Sequence, residues 1–387
     1  MIEVTELETQ IKRTNALACL DCGKCTSVCP VSLYSRSYSP RVLLNRTIRK
    51  NFDGVFESYD LWSCLTCRKC DEICQSGIHY IDLIQYLRTA ARQQGFDGSC
   101  SHAGALQSLS RIMTSEDLNQ NRLEWVPDDV EVAEEGDVLY FVGCAPYFDV
   151  FFDDLGVTTL EAAESSLRIL NRLGVTPALL SDERCCGHDL IWNGDVENFT
   201  RLAKHNLEAV EKSGAKTILF SCAECMSAFK NLYPEQGLKV KAELKHMSQF
   251  LAEKIDAGEL QLQAPSSAVT YQDPCRLGRH LGIYDEPRNV LGDGPSGEEG
   301  ISEMRQSGKR SLCCGVSAWM NCDMTSKAIQ TERLKQAQES GAEVMAVACP
   351  KCQIHLTCTQ KDGRVSEKYG LKIRDISAIT LERMAEN

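Results

Sequence analysis

Two adjacent cysteines followed by a glycine occur twice in this chain, in CCGHDLIWNG from residue 185 and in CCGVSAWMNC from residue 313. The chain carries 21 cysteines among 387 residues. Neighbouring thiols are prone to oxidation, so the repetition of this pair at matched positions indicates that both pairs ligate a bound group. The odd number of cysteines and the C-x-x-C spacings favour metal–thiolate ligation in a reducing compartment over a disulfide framework. The cysteine pattern therefore constrains the fold more than any other feature.

Charge and hydropathy exclude several other classes of protein. Lys and Arg number 42 and Asp and Glu number 54, a net charge of −12 that argues against a nucleic-acid-binding protein. The stretch MIEVTELETQIKRTNALAC lacks a basic region followed by an apolar run, so we expect no secretory signal. No stretch approaches the roughly 18 apolar residues needed to cross a bilayer. We expect a cytoplasmic protein without a membrane span, which associates with a membrane only through a partner subunit.

The zones into which the cysteines fall predict the domains. We expect an α-helical ferredoxin-type domain over residues 1–110 and a linker over 111–137, which includes the acidic stretch VPDDVEVAEEGD. Further on, apolar strands such as VLYFVGC and KTILFSC alternate with amphipathic helices, which predicts an α/β fold with mainly parallel sheets. The match of GAKTILFSCAEC to GAEVMAVACPKC indicates an internal repeat, with one domain at 138–260 and a second at 261–387.

The N-terminal zone contains two ferredoxin-type motifs, CLDCGKCTSVCP and CLTCRKCDEIC. Both have the spacing C-x2-C-x2-C-x3-C, in which three cysteines ligate one cubane 4Fe-4S cluster and the fourth ligates the other. A zinc site is the alternative, but tetrahedral zinc does not require this run of four. The predicted ligands are Cys19, Cys22, Cys25 and Cys74 for the first cubane, and Cys64, Cys67, Cys70 and Cys29 for the second.

The remaining zone contains two sets of five cysteines. Five thiolates are one too many for a cubane with one thiolate per iron, and adjacent cysteines do not easily ligate distant corners of a cube. Both facts indicate a distorted cluster, in which a thiolate bridges irons or one iron is displaced. Two zinc sites built on the C-x-x-C pairs are the alternative, which leaves the repeated Cys-Cys-Gly unexplained. The sets are Cys144, Cys185, Cys186, Cys222 and Cys225, and Cys275, Cys313, Cys314, Cys349 and Cys352.

Local sequence adds detail to these two sets. Each C-x-x-C pair follows a predicted strand and opens a predicted helix, whose N-terminus stabilises thiolates. Gly187 and Gly315 are expected to let the backbone approach a cluster closely. Imidazole, guanidinium and carboxyl groups beside the ligands are candidates for delivering protons or holding an anion, with structural hydrogen bonding as the alternative. These candidates are His188, Asp189, Arg276, His280 and His355. We expect Cys100, Cys322 and Cys358 to be ordinary buried thiols.

The two five-cysteine sets resemble the CCG domains of the CoB–CoM heterodisulfide reductase family. The N-terminal 100 residues resemble the ferredoxin-type component of that family, and the whole chain resembles its D-type component, a fusion of C-like and B-like parts. The resemblance implies that each set holds a non-cubane 4Fe-4S cluster, and that the two clusters cleave a disulfide between them. All ten cysteine positions of the family pattern are present. The implied catalytic positions are Cys185, Cys186, Cys313 and Cys314.

The chain also departs from this family. Members that act on the heterodisulfide usually continue Cys-Cys-Gly with small residues, whereas here Trp319 follows Gly315 closely. Trp319 either reshapes the disulfide pocket or is part of the core. Similar CCG subunits serve as electron relays in large complexes, including tungsten-dependent benzoyl-CoA reductases and flavin-based bifurcating assemblies. The sequence therefore supports two hypotheses, a subunit that reduces a disulfide and a relay without a substrate of its own.

The electrons are expected to come from another protein. The chain has no G-x-G-x-x-G fingerprint after a strand, so we expect it to bind neither flavin nor nicotinamide. The expected cofactors are four 4Fe-4S clusters, two cubane and two non-cubane. The expected partners are redox subunits, such as a flavoprotein, a hydrogenase-like or formate dehydrogenase-like module or a reductase, together with a small-molecule disulfide in the first hypothesis.

Overall fold

The computed structural model describes residues 4–292, 301–365 and 369–385. The chain divides into two compact units, called here the helical unit and the sheet unit. The helical unit contains the residues up to Thr114 with Gly187–Phe199 and Leu312–Gln330, and the sheet unit contains Ser115–Cys186, Thr200–Ser311 and the residues from Thr331 onward. The segments that follow both Cys-Cys-Gly motifs thus belong to the helical unit.

Twenty α-helices and six strands follow one another along the described residues. The N-terminal helices are α1 Val4–Arg13, α2 Lys24–Val28, α3 Pro30–Tyr34, α4 Pro40–Ile48, α5 Phe52–Phe56, α6 Tyr59–Ser63, α7 Lys69–Ile73, α8 Tyr80–Gln93 and α9 Ala105–Ile112. The first repeat has β1 Val138–Phe141, α10 Ala145–Phe151, α11 Thr159–Arg172, α12 His188–Trp192, α13 Val196–Ser213, β2 Thr217–Phe220, α14 Ala223–Ser227, a π-helix Ala228–Leu232, α15 Tyr233–Glu235, β3 Glu243–His246 and α16 Met247–Asp256. The second repeat has β4 Val269–Tyr271, α17 Asp285–Leu291, α18 Met324–Glu339, β5 Val344–Val347, α19 Pro350–Lys361, β6 Lys372–Asp375 and α20 Ile376–Arg383.

Helix α8 lies at the centre of the helical unit. The sequence predicts an apolar face formed by Ile81, Ile84, Leu87 and Ala91, and all four side chains are buried. The helix ends just before Gly95, whose φ of 88° is a left-handed conformation that stops a helix at little steric cost.

The sheet unit contains two parallel three-stranded sheets, in the orders β1-β2-β3 and β4-β5-β6. The predicted α/β class with mainly parallel sheets is confirmed. Strands β1, β2, β4 and β5 coincide with the apolar runs of the sequence. Strands β3 and β6 were not predicted, because each is a short, charged edge strand that buries little more than its last residue.

The helices around the two sheets pack in a reciprocal way. Helix α11, after the first strand of the first repeat, packs against α20, after the last strand of the second repeat. Helix α16, after the last strand of the first repeat, likewise packs against α17, in the second repeat. Because each helix packs against a helix of the other repeat in this reciprocal way, the two repeats are related by a pseudo-twofold axis. The axis relates the carboxyl end of β2 to the carboxyl end of β5. Those ends carry Cys222 and Cys349, each of which is the N-cap residue of the next helix, as the sequence predicts.

Within the described residues, no helix combines the length and the apolar character that a membrane span requires.

An aromatic cluster forms the core next to the first sheet. The ring of Phe229 lies 4.9 Å from Phe141, 5.2 Å from Phe220 and 4.5 Å from Tyr233, measured between centroids. Phe229 lies on the π-helix, a distortion often found at functional sites. Tyr233 follows this helix directly, and its hydroxyl donates a hydrogen bond to the carbonyl of Cys186.

We predict that Phe229→Ala lowers the free energy of unfolding by about 3–5 kcal/mol, because it removes a buried ring and leaves a cavity. The measurement is urea denaturation followed by near-ultraviolet circular dichroism. Phe151→Ala is the control, since Phe151 is an exposed aromatic side chain on α10 and its loss should leave the midpoint almost unchanged. Equal destabilisation by the two substitutions would contradict this description of the core.

Candidate metal centres

The two ferredoxin-type motifs adopt the same local backbone in the helical unit. Asp21 and Thr66, at matched positions, have left-handed φ values of 54° and 49°. In each motif the amide of this residue donates to the sulfur two positions earlier, at 3.4 Å from Cys19 and at 3.4 Å from Cys64. Amide hydrogen bonds to sulfur stabilise thiolate ligands and tune the potential of a cluster. The two loops therefore fit the same kind of group.

The second ferredoxin-type set is buried. Cys29, Cys64, Cys67 and Cys70 lie close enough to interact electrostatically, and all four are buried. Burial raises the pKa of the Cys29 thiol to about 12 and that of Cys70 well above its ordinary value. Cys29 and Cys70 therefore become thiolates only if positive charge is supplied beside them, which is what the irons of a cluster do.

The first ferredoxin-type set is open to solvent. Its four sulfur-bearing residues line one pocket, in which Cys22 is exposed and the other three are half-buried. The four residues are Cys19, Cys22, Cys25 and Cys74. The two sets thus differ in accessibility, one facing solvent and the other enclosed.

The enclosed set contacts both segments that follow the Cys-Cys-Gly motifs. Thr66, between Cys64 and Cys67, shares a 2.8 Å hydrogen bond with Ser317, which lies just beyond Cys314. The buried guanidinium of Arg88 donates to the carbonyl of Cys64 at 2.7 Å and to that of Trp192 at 3.0 Å. Within the helical unit, the enclosed set therefore lies next to the two segments that follow the Cys-Cys-Gly motifs.

In the sheet unit, all five cysteines of the first set converge. Their thiols form a continuous series in which neighbouring sulfurs lie within hydrogen-bond reach, and the series runs on into the second set. Its order is Cys144, Cys185, Cys186, Cys225, Cys222, Cys349 and Cys352. The contact with the Cys185 sulfur raises the pKa of Cys144 and of Cys186 well above the ordinary value. So many crowded sulfurs cannot ionise together without cations, and this donor set is that of a metal–sulfur centre.

Gly143 permits the closest approach of backbone to this site. It has a φ of 67°, and a Cβ on it would lie 2.8 Å from the sulfur of Cys225. Gly187 and Gly315, which the sequence singled out, have left-handed φ values as well. A Cβ on Gly187 would meet the ring of Phe199, and one on Gly315 would meet the carbonyl of Ser326. These two glycines therefore allow close packing within the helical unit, and Gly143 is the one that faces a sulfur.

A buried ion pair holds the loops that carry Cys144 and Cys185. Glu183 accepts from the amides of Gly143 at 2.7 Å and Val142 at 3.1 Å, and it bonds Arg122 at 2.6 Å. Arg122 also donates to the carbonyl of Gly143. Burial raises the pKa of Glu183 above its ordinary value, against the opposing effect of Arg122. Arg122 lies in the segment predicted as a linker, and its burial shows that part of this segment is packed into the sheet unit.

Two further side chains fix the Cys185–Cys186 turn. Asn206 donates to the carbonyl of Cys185 at 3.0 Å, and the hydroxyl of Tyr233 donates to that of Cys186 at 3.2 Å. These two hydrogen bonds fix the orientation of both carbonyls of the turn. No motif in the sequence indicated Asn206 or Tyr233.

A second buried ion pair joins the two C-x-x-C loops across the pseudo-twofold axis. Glu224, between Cys222 and Cys225, bonds Lys351, between Cys349 and Cys352, at 2.7 Å. Both side chains are largely buried. The contact with Cys222 raises the pKa of Cys349 to about 12. The equivalent loops therefore meet through opposite charges and through their sulfurs.

The other candidates from the sequence are distributed between the units. In the helical unit, His188 lies beside Asp189, with Nδ1 3.2 Å from Oδ1. In the sheet unit, Arg276 contacts His280, with Nη1 2.5 Å from Nε2. His355 is buried on α19, one turn beyond Cys352.

Cys313, Cys314 and Cys275 complete the candidates of the second set. Cys313 and Cys314 are buried in the helical unit, whereas Cys275 is half-buried in the sheet unit. The prediction that Cys100, Cys322 and Cys358 are buried is wrong, because Cys322 is exposed and the other two are half-buried. Surface loops and helix edges admit a cysteine as readily as a core does, so residue type alone misled the prediction.

Comparison with known proteins agrees with these features. A family model described as a cysteine-rich domain matches residues 138–230 and 269–357, and one described as a 4Fe-4S dicluster domain matches residues 15–78. The D-type component of dihydromethanophenazine:CoB–CoM heterodisulfide reductase from Methanosarcina barkeri is 32% identical, over 95% of this chain and 93% of its own length. The B-type component of fumarate reductase (CoM/CoB) from Methanothermobacter marburgensis is 27% identical, over 92% of this chain and 70% of its own length.

A solved structure shares the fold. It is a hypothetical protein from Helicobacter pylori, 12% identical, with a TM-score of 0.52 over 99% of this chain and 72% of that one. The likeness concerns the fold alone.

We predict that Glu183→Gln destabilises the protein by about 3–5 kcal/mol, because it leaves Arg122 as an unpaired buried charge. The measurement is the thermal unfolding midpoint together with the iron content. Asp129→Asn is the control, since it breaks an exposed ion pair with Arg168 and should leave both quantities unchanged. If the two variants behave alike, the Glu183 pair does not hold the cysteine loops.

Proposed function

Because this chain belongs to the D-type family of heterodisulfide reductase components, we propose that it carries electrons through two ferredoxin-type clusters to two non-cubane clusters, where a disulfide is reduced. The reaction consumes two electrons and two protons, breaks one S–S bond and yields two thiols. The observation that carries the proposal is the series of thiols in which all five cysteines of the first set meet the C-x-x-C pair of the second. A redox iron–sulfur subunit is the coarser conclusion, and it follows from the family.

Iron–sulfur clusters are the cofactors of this chain, as both family matches indicate. We propose four 4Fe-4S clusters, two cubane and two non-cubane. When bound, such clusters supply one-electron transfer at potentials that the surrounding protein adjusts. The proposed ligands are the eight cysteines of the ferredoxin-type sets and the ten of the two five-cysteine sets, with Cys185, Cys186, Cys313 and Cys314 nearest the chemistry.

The accessibility of the ferredoxin-type sets supports a direction for the electrons. The set with the exposed Cys22 suits the entry point, because a partner's redox group can approach it. The enclosed set suits the exit, because Thr66 contacts Ser317 and Arg88 links Cys64 to Trp192. These hydrogen bonds, all within the helical unit, hold the enclosed set beside the segments that follow the two Cys-Cys-Gly motifs.

The chain's own residues would hold the reacting groups in position. Glu183 with Arg122, and Glu224 with Lys351, hold the cysteine loops. The contact of Arg276 with His280 offers a donor beside Cys275 for a proton or for an anionic end of the disulfide. His188 and His355 remain candidates for the same role.

The partners are proposed to be redox subunits. Related chains are named as subunits of a heterodisulfide reductase and of a fumarate reductase. A flavoprotein, a hydrogenase-like or formate dehydrogenase-like module, or a reductase would deliver the electrons. Many reduced thiols favour a cytoplasmic setting, with attachment to a membrane only through such a partner.

A relay without a substrate of its own is the second candidate, and one observation favours it. The loop that follows Cys314 is enclosed, and Trp319 is almost fully buried. The Trp319 carbonyl accepts from Gln107 at 3.1 Å and from the Ser101 amide at 2.7 Å, and its ring lies 6.0 Å from His102. Trp319 is therefore part of the core of the helical unit and does not line an open disulfide pocket, which suits the transfer of electrons alone.

Addition of thiols to the oxidised, anaerobically purified protein separates the two candidates. Reduction of a disulfide predicts that a thiol product changes the electron paramagnetic resonance spectrum of the non-cubane clusters. Bulky thiols that cannot enter the site serve as the control. An unchanged spectrum with every thiol would contradict disulfide chemistry and favour the relay.

We also predict that Cys313→Ala abolishes the non-cubane signal of the second set and leaves the ferredoxin-type signals nearly intact. Cys70→Ala should do the reverse, because its sulfur is grouped with Cys29, Cys64 and Cys67. The measurement is low-temperature electron paramagnetic resonance of the reduced and oxidised protein. Loss of the same signal in both variants would contradict the assignment.

A further inference from the structure

Arg333 is a buried cation that has no counterpart in the first repeat. Its residue is 0% exposed on α18, in the part of that helix that belongs to the sheet unit. Counted from the matching C-x-x-C motifs, which are 349 − 222 = 127 residues apart, the equivalent position holds the neutral Asn206. The two repeats thus differ by one full buried charge at the same place in the fold.

The guanidinium of Arg333 is surrounded by neutral oxygens. It donates to the carbonyl of Gln306 at 2.7 Å, to the amide oxygen of Gln336 at 3.1 Å and to the hydroxyl of Ser311 at 3.1 Å. It also donates to the amide oxygen of Gln272. Among the residues that the structure describes, no carboxylate accepts a hydrogen bond from it. A buried charge without an ionic partner is costly, so its presence calls for an anion nearby.

The nearby carboxylates are already matched by other arginines. Asp273 and Glu303 both act on Arg333 through space, but Arg288 bonds Asp273 at 2.8 Å and Glu303 at 2.6 Å. Arg279 adds a further positive charge. Arg288 therefore engages both of the carboxylates that act on Arg333.

The second cysteine set lies close to Arg333, because Gln272, which accepts a hydrogen bond from Arg333, is three residues before Cys275. Arg333 interacts electrostatically with Cys352, and burial lowers the pKa of Arg333 to about 10. In the first repeat, Arg122 is cancelled by Glu183, and Arg184 lies 3.4 Å from Asp182. Arg122 and Arg184, near the first set, thus each have a carboxylate partner, whereas the hydrogen bonds of Arg333, near the second set, go to neutral oxygens.

We infer that Arg333 is the buried counter-charge of the iron–sulfur cluster held by the second five-cysteine set, and that it raises the reduction potential of this cluster above that of the first. The inference rests on the proposed function, which supplies the cluster. A fixed positive charge stabilises the reduced form of a cluster, which carries one more electron, more than the oxidised form. Electrons that reach the two five-cysteine sets would therefore reside preferentially on the second.

The test is a redox titration of the whole, anaerobically purified chain, followed by electron paramagnetic resonance. Arg333→Gln should lower the equilibrium constant for reduction of the second cluster about tenfold or more, at about 59 mV per tenfold for one electron. The potential of the first cluster should not change. Arg333→Lys keeps the charge and should keep the wild-type potential.

Gln272→Glu provides an independent variant that preserves the size of a buried side chain. It places a carboxylate on the atom that accepts from Arg333, so the potential of the second cluster should shift in the same negative direction. This variant keeps the inference testable if Arg333→Gln does not fold.

Arg383→Gln is the matched control. Arg383 is also a buried guanidinium, and it donates to the carbonyls of Gln263, Val290, Leu291 and Gly292. It lies at the far end of α20, about 12 Å along the helix from Asp375, the last residue of β6. Its loss should reduce stability and leave both potentials unchanged.

The outcomes separate this inference from the proposed function. If the wild-type protein shows no second non-cubane signal, the proposed function fails and the inference fails with it. If the signal is present and neither Arg333→Gln nor Gln272→Glu shifts it, the inference alone is overturned. An equal shift with Arg333→Lys or with Arg383→Gln would also overturn it, because the charge at this place would then not be the cause.

Discussion

The structure depends on how the negative charge of its buried thiolates is neutralised. In the sheet unit, seven thiols follow one another within hydrogen-bond reach. Contact between neighbours raises the pKa of Cys144, Cys186, Cys225 and Cys349 and lowers that of Cys222. Thiols packed in this way are poor ligands while protonated and repel one another when ionised. A metal–sulfur centre removes this conflict, because its positive irons are surrounded by the sulfurs. The loops, glycines and ion pairs around the site can be understood as the means of holding the sulfurs together until the centre is bound.

The internal repeat gives the molecule two similar sites, and the differences between them carry the functional information. The pairing of α11 with α20 and of α16 with α17 relates the repeats through a pseudo-twofold axis. Across this axis Glu224 meets Lys351, so equivalent positions have diverged to opposite charges. Asn206 and Arg333 also occupy equivalent positions, and one side chain is neutral whereas the other is charged. A duplicated fold thereby places different charges at equivalent positions while the cysteine pattern of the two repeats stays the same.

Much of this architecture could be predicted from the sequence. The cysteine spacings and the apolar runs of β1, β2, β4 and β5 are local patterns, and the helix α8 has a clear apolar face. Strands β3 and β6 could not be predicted, because charged edge strands carry no periodic signal. The roles of Gly143, Arg122 and Glu183 depend on contacts between distant segments, which residue type and spacing do not encode. Arg122 in particular lies in the segment 111–137 that the sequence predicts to be a linker, although its guanidinium is buried.

The central claim is that eighteen cysteines hold four iron–sulfur clusters, two of them at the paired five-cysteine sets. Diffraction data collected from anaerobic crystals at the iron absorption edge test this claim most directly. We expect roughly sixteen irons per chain, four in each cluster, with anomalous density beside Cys185 and beside Cys313. Zinc at the C-x-x-C pairs, or no iron near these two residues, would contradict the account.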